Sequence, residues 1–468
     1  MNGSSDDEIQ VWEDDPGVPP TDRKPVRRPR PLLAEGALPI ELDQPEPAPD
    51  NVGTPAFRYW TAAEALGRGA EFWASVMQAG TTWNPSVGHR LRVELDKGED
   101  LNAYYTRDGL EFYHDTVDST VCYSGESPDI LSHELGHAVL DALRPELWSV
   151  LSIEAAAFHE SFGDMSAILV ALQLPSVRER ILADTQGRLW RSSRVSRVAE
   201  QLGWALRQRS PGSADAEALR NAANSWFYTD PAALPPQAPA GELSSAAHSF
   251  SRVFTGAFLK MLAGMFTASE GSDADLVRCS RDAGQLLADA VDRAPIVPQY
   301  FSSVGAQMVA ADAARFGGKY RDAIKFGLVR HGILALSRAT ALTGEEDGPR
   351  ALGMTPAPLA EGPPLARLAL RGTDYGLPLD LVAEVPSATP RFLVAPAAAD
   401  TGALRAQSAD RAAACYAEDL FRLGRVEIGT ERADGLSVVG EIAFKTHDLR
   451  EEHGGIALSR RLFDCGFK

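Results

Sequence analysis

The chain is 468 residues long, 44% hydrophobic and 24% charged, with a formal net charge of −18. That size and balance suit a soluble globular protein of about two domains plus flanking segments. The acidity argues against nonspecific binding to nucleic acid or to an anionic membrane.

Residues 1–55 read as an acidic, Pro-rich tail: the first fifty hold ten prolines and twelve acidic residues. Such a segment offers too little apolar surface to offset its chain entropy and is expected to be disordered, its basic cluster "RKPVRRPR" solvated. From Tyr59 the spacing of Ala63, Leu66, Phe72, Trp73 and Val76 predicts a helix ending near Gly80. "HRLRVELD" and "LNAYYTRDGLEFYHD" alternate as strands with a turn at Arg107-Asp108-Gly109.

"SPDILSHELGHAVLDAL" follows, with Ser127 as N-cap and Pro128 at the first helical position. On such a helix His133 and His137 lie one turn apart on one face, so both imidazoles can hold one ion. Zinc suits nitrogen ligands, and a catalytic zinc needs a third protein donor and leaves a position for water. Glu134 stands beside the first histidine, placed to take a proton from that water. The next helix, "SIEAAAFHESFGDMSA", puts Glu160 and Asp164 at i, i+4. Glu160 is the expected third ligand, and Asp164 the acceptor for the second N–H of a ligand histidine, a bond that fixes its tautomer. Glu154 and His159 are rivals. Glu154 has no acid four residues on, and His159 points about 100° away from Glu160.

Helices are also expected over 152–172, 244–268, 273–292, 302–315 and 320–338. Residues 341–365 are rich in Gly and Pro and read as a linker. The short runs "ARLALRG", "LDLVAEV", "RFLVAP", "RVEIG" and "LSVVGEIAF" then suggest a β-rich accessory domain over 366–468. Its last stretch, "THDLREEHGGIALSRRLFDCGFK", reads as a surface hairpin or substrate-docking element. His447, His453 and Cys465 match no zinc-module spacing. A second idea is that the appendage covers the cleft as a built-in inhibitor. The four cysteines form no CxxC pair and are expected to be reduced. With no visible signal or membrane-spanning run, the expected location is the cytoplasm, export without a cleaved signal staying possible.

"NAYY", "HELGH", "ESFGD" and "AAHSFSRVF" occur in the order found in thermolysin-type gluzincin metallopeptidases, and residues 57–340 resemble that family. The resemblance implies an α+β fold: a small N-terminal β/α lobe with an edge strand, a mainly helical zincin core and C-terminal lobe over 56–340, and the β-rich C-terminal appendage. It implies one catalytic zinc on His133, His137 and Glu160, Glu134 as general base and His248 stabilising the oxyanion. Arg220, in "LRNAAN", resembles the arginine that contacts the substrate backbone. Ile130 and Leu219 would line an apolar primed-side pocket, and Asn102 and Ala103 would pair with a peptide or protein substrate.

The chain departs from the family in several places. No tyrosine lies between Tyr123 and Tyr228, Trp148 standing near the expected oxyanion partner. Leu243 stands where an acid usually orients the histidine, with Glu242 one step further. His159 replaces the common Asn before the glutamate ligand. Asp129 matches one calcium ligand while Ala171 replaces another, so calcium is not expected. The activity implied is zinc-dependent endopeptidase. The alternatives are a zinc aminopeptidase or a catalytically weak zincin-fold binding or scaffold protein; the oligomeric state stays open.

Overall fold

The computed structural model describes residues 8–31, 33, 36–43, 51–336, 339, 365–385, 408–428, 445–452 and 454–465. It is an α+β protein. Its helices are α1 (Pro55–Val76), α2 (Pro128–Leu143), α3 (Ile153–Ala171), α4 (Pro175–Thr185), α5 (Glu200–Arg209), α6 (Ala247–Thr267), α7 (Asp273–Arg293), α8 (Tyr300–Phe316), α9 (Arg321–Arg330) and α10 (Ala409–Arg422). None of the described helices is long and apolar enough to cross a membrane.

Strands β1 (Glu8–Val11) and β2 (Val26–Pro29) form an antiparallel pair. A mixed sheet joins β3 (Ile40–Leu42), β4 (Leu91–Glu94), β5 (Ala103–Tyr105) and β6 (Leu110–Phe112). Strands β7 (His114–Val117) and β8 (Thr120–Tyr123) pair as a hairpin, and β9 (Arg197–Val198) pairs with β10 (Arg220–Asn221). A second mixed sheet holds β11 (Ala366–Leu370), β12 (Leu381–Val385), β13 (Val426–Glu427), β14 (His447–Glu452) and β15 (Gly455–Arg460). The last described strand, β16 (Phe463–Asp464), leaves that sheet and pairs antiparallel with β5 in the first one.

Helix α2 starts as its sequence directs: Ser127 Oγ accepts from the Ile130 N–H at 3.4 Å and Pro128 follows the cap. It packs along α3, and two glycines permit the close approach. A Cβ at Gly136 would stand 2.9 Å from Gly163 Cα, and one at Gly163 would stand 2.6 Å from the His133 ring. The apolar faces of α1, α2, α3, α6, α7 and α8 merge into one core containing Trp73, Leu135, Phe158, Phe254 and Phe301.

The N-terminal segment corrects the expectation of a disordered tail. Ile9, Val11 and Trp12 are buried against the core, and the Trp12 ring meets Phe57 edge-on at 5.9 Å. Two of its acids are held in ion pairs: Glu13 with Arg28 (2.7 Å) and Arg180 (2.8 Å), and Asp14 with Arg194 (3.2 Å). The expected helix over 320–338 ends at Arg330, and α10 lies in the stretch read as β-rich. "RFLVAP", "LSVVGEIAF" and nearly all of 341–365 lie outside the described residues.

Candidate metal centre and cleft

His133 and His137 project from α2, and Glu160 from α3. One ligand atom from each lies within 4.8 Å of the others, and all three side chains are buried. His133 Nε2 stands 3.4 Å from Glu160 Oε2, and His137 Nε2 3.8 Å from Glu160 Oε1. Both histidine Nε2 atoms and both Glu134 oxygens are buried without a hydrogen-bond partner. Buried polar groups are normally satisfied, so a set of such atoms aimed at one point fits a cation held among them.

The surroundings orient those ligands. The His133 Nδ1–H donates to Asp164 Oδ1 at 3.1 Å, which leaves Nε2 to face the cluster, as anticipated for Asp164. Arg220 is 1% exposed and forks onto Asp164, Nη2 donating to Oδ1 at 2.8 Å and Nε to Oδ2 at 3.0 Å. His159, the rejected rival ligand, supports His137 instead: the two Nδ1 atoms are 3.4 Å apart. Glu154 takes no part, accepting from Tyr228 Oη at 2.6 Å and from the Phe301 N–H at 2.9 Å. His248 Nε2 lies 3.2 Å from Glu160 Oε2, inside the cluster where the sequence placed it.

The electrostatics follow from burial and neighbours. Burial pushes the Glu134 carboxyl up to about 8 and the His137 imidazole down to about 3. Glu160 is held well below the usual carboxylate range: burial opposes this, but His248 and His137 outweigh it. Burial also works against His133 holding a proton, yet Asp164 and Glu160 raise it to about 9. Asp164 is lowered because Arg220 and His133 overcome its desolvation.

The side chains expected around the edge strand are only partly brought together: Leu219 is not among those lining the cavity that Asn102 and Ile130 share. Asn102 is fully buried, its Oδ1 accepting from the Ala103 N–H at 3.0 Å. Ile130 and Asn102 border one small cavity with Leu101 and Leu202, and Leu219 is buried next to Arg220 in sequence. Ala103 O does accept a backbone N–H, but from within the chain: the donor is Cys465, at 3.0 Å.

That contact belongs to the C-terminal stretch, read from the sequence first as a surface hairpin or docking element and second as a cover over the cleft. The hairpin β14–β15 forms as expected, yet the chain then enters the cleft. Phe463 stacks on His159 (centroids 3.9 Å apart) and on His137 (4.9 Å), with Trp148 edge-on at 5.5 Å. Cys465 is no partner of His447, which is buried with its Nδ1 2.8 Å from Thr446 Oγ1. Its Sγ lies instead within 4.8 Å of a His133 nitrogen and a Glu134 oxygen. His453 lies outside the described residues. All four cysteines are free thiols.

No known family model matches the chain, and no curated protein matches it either.

Proposed function

We propose that the chain is a zinc-dependent peptidase that cleaves internal peptide bonds, with an apolar preference after the scissile bond. The observation that carries the reading is the convergence of His133, His137 and Glu160 beside a buried, unpartnered Glu134, next to strand β5. A zinc ion on those three ligands would supply Lewis-acid polarisation of a peptide carbonyl and of a water molecule.

The chain's own groups do the rest. Glu134, with both oxygens unpartnered beside the cluster, is the base: it takes the water's proton and delivers it to the departing nitrogen. His248 donates to the carbonyl oxygen as negative charge develops there. Ala103 O receives a substrate N–H from the edge of β5. Arg220 binds a substrate carbonyl with the N–H groups that Asp164 does not occupy.

The test is to express the full chain, measure bound metals by mass spectrometry and assay internally quenched peptides with and without chelator. One zinc per chain is expected. Glu134→Gln should keep the metal and lose on the order of 10²–10⁴ in turnover. A folded chain that binds no metal ends the proposal. A noncatalytic scaffold is the second reading, favoured by the filled cleft, and it requires Glu134→Gln to match the parent on every substrate.

A further inference from the structure

Strand β5 is the edge on which a peptidase of this kind would lay its substrate, and here it is already paired. Phe463 stands opposite Tyr105 and Asp464 opposite Tyr104, in antiparallel register. The contacts converge on the backbone of Asp464 and Cys465. The Cys465 N–H donates to Ala103 O at 3.0 Å, and the Asp464 carbonyl accepts from His248 Nε2 at 2.6 Å. The Cys465 carbonyl accepts from Arg220 Nη1 at 3.3 Å. Three groups assigned above to substrate binding are therefore each engaged by the chain's own backbone.

We propose that residues 463–465 are a tethered pseudo-substrate, laid along β5 with the Asp464–Cys465 peptide at the metal centre, which holds the cleft closed. The closure of an active cleft rests on the peptidase reading; the occupancy of β5 does not.

The segment is anchored from the accessory sheet, not merely adjacent to it. Arg460, at the end of β15, lies over the Phe463 ring with its Cζ 4.1 Å from the centroid and donates to Trp148 O at 3.1 Å. Arg425 pairs with Asp464 at 3.4 Å. A short tether of this kind supplies an effective concentration on the order of millimolar, so even modest affinity for the groove fills it. Two features make the strand an occupant rather than a substrate. Its thiol is packed within 4.8 Å of a Glu134 oxygen, in the space a water must enter to meet the base. The residues before the peptide bond are tied to Arg460 and Arg425, so a cut would leave them in the groove.

The test uses the full chain loaded with Zn²⁺. Cys465→Pro removes the N–H that pairs with Ala103. Phe463→Ala removes the stacked ring, and Cys465→Ala keeps the N–H and removes only the thiol. Amide exchange reads occupancy directly: slow exchange at 105, 463 and 465 is expected in the parent, and it is lost at 105 and 463 in Cys465→Pro, where residue 465 has no N–H. Peptide turnover should rise at least about tenfold in Cys465→Pro and Phe463→Ala, as a closed state yields to an open one. It should rise less in Cys465→Ala. Fast exchange at 463 and 465 in the parent overturns the proposal, as does a parent as active as the variants. Intact mass showing a cut between Asp464 and Cys465 overturns it too, the segment then being a substrate. Slow exchange with no turnover in any form leaves the strand in place and removes the peptidase reading instead.

Discussion

Arg220 and Asp164 form a buried, forked ion pair, each 1% exposed, and Asp164 passes its hold to His133 through a 3.1 Å hydrogen bond. A carboxylate fixed from one side by a guanidinium cannot turn away from the imidazole it orients. Asp164→Asn should therefore weaken zinc binding by about 10–100-fold, read by competition with a chromophoric chelator, without denaturant and well below its lowered Tm, since Arg220 is left buried without its anion. Arg220→Met leaves Asp164 buried without its cation and should cost about 3–5 kcal/mol, read from the urea midpoint. Unchanged zinc affinity in Asp164→Asn would show that the His133 ring is held by packing alone.

Gly163 offers the complementary experiment, because it touches the ligand by shape and not by charge. A methyl group there would stand 2.6 Å from the His133 ring Nδ1, closer than real contacts allow. Gly163→Ala changes none of the ligands, yet the ring has to shift. Zinc affinity should fall by at least about tenfold while α3, whose helix propensity improves, stays helical by circular dichroism. Full affinity in this variant would mean that the helices separate enough to absorb the methyl.

The cluster that could hold a metal was legible in the sequence because helical spacing is local. His133 with His137, and Glu160 with Asp164, are neighbours by periodicity, and the Ser127-Pro128 start fixes the first helix. A cover over the cleft was weighed from the sequence, but the pairing of β16 with β5 was not legible. The strand consists of two residues whose partners lie some 360 positions earlier, and nothing in "RRLFDCGFK" announces that pairing. Composition misled at the other end as well. Averaged over fifty residues the tail is acidic and Pro-rich, but Ile9 and Val11 alternate into the core and Glu13 finds two arginines. An average cannot see a partner supplied by another element.

Glu154 makes a pH prediction remote from the metal. Burial raises its carboxyl from an ordinary 4.5 to about 8, only partly offset by hydrogen bonds from Tyr228 and Phe301. The folded value lies above the unfolded one, so the stability it contributes is complete below about pH 4.5 and is lost as pH rises through about 8. Between pH 5 and 9 the parent should lose on the order of 4 kcal/mol from this group. Glu154→Gln cannot ionise and should show a flatter dependence over that window, although its amide meets the Phe301 N–H poorly and lowers stability at pH 5. Parallel urea-midpoint curves for the two proteins would refute the assignment.

Arg23, from the segment expected to be disordered, stands among four acids. It hydrogen-bonds Glu200 and the Asp15 carbonyl, and Asp14, Asp15 and Asp129 all raise its hold on the proton. Asp129 is the residue that resembles a calcium ligand, so a guanidinium supplies positive charge beside it. Burial raises the Asp129 and Asp15 carboxyls, and at Asp15 the Arg23 charge works against that rise. Arg23→Met should therefore cost about 3 kcal/mol or more, since it strips the counter-charge from buried carboxylates and leaves them facing one another. If the arginine serves in place of a metal ion, millimolar Ca²⁺ should recover part of that loss in the variant and leave the parent's Tm unmoved. A parent that gains stability on adding Ca²⁺ would show that the cluster has room for both cations and that Arg23 is only one of its partners.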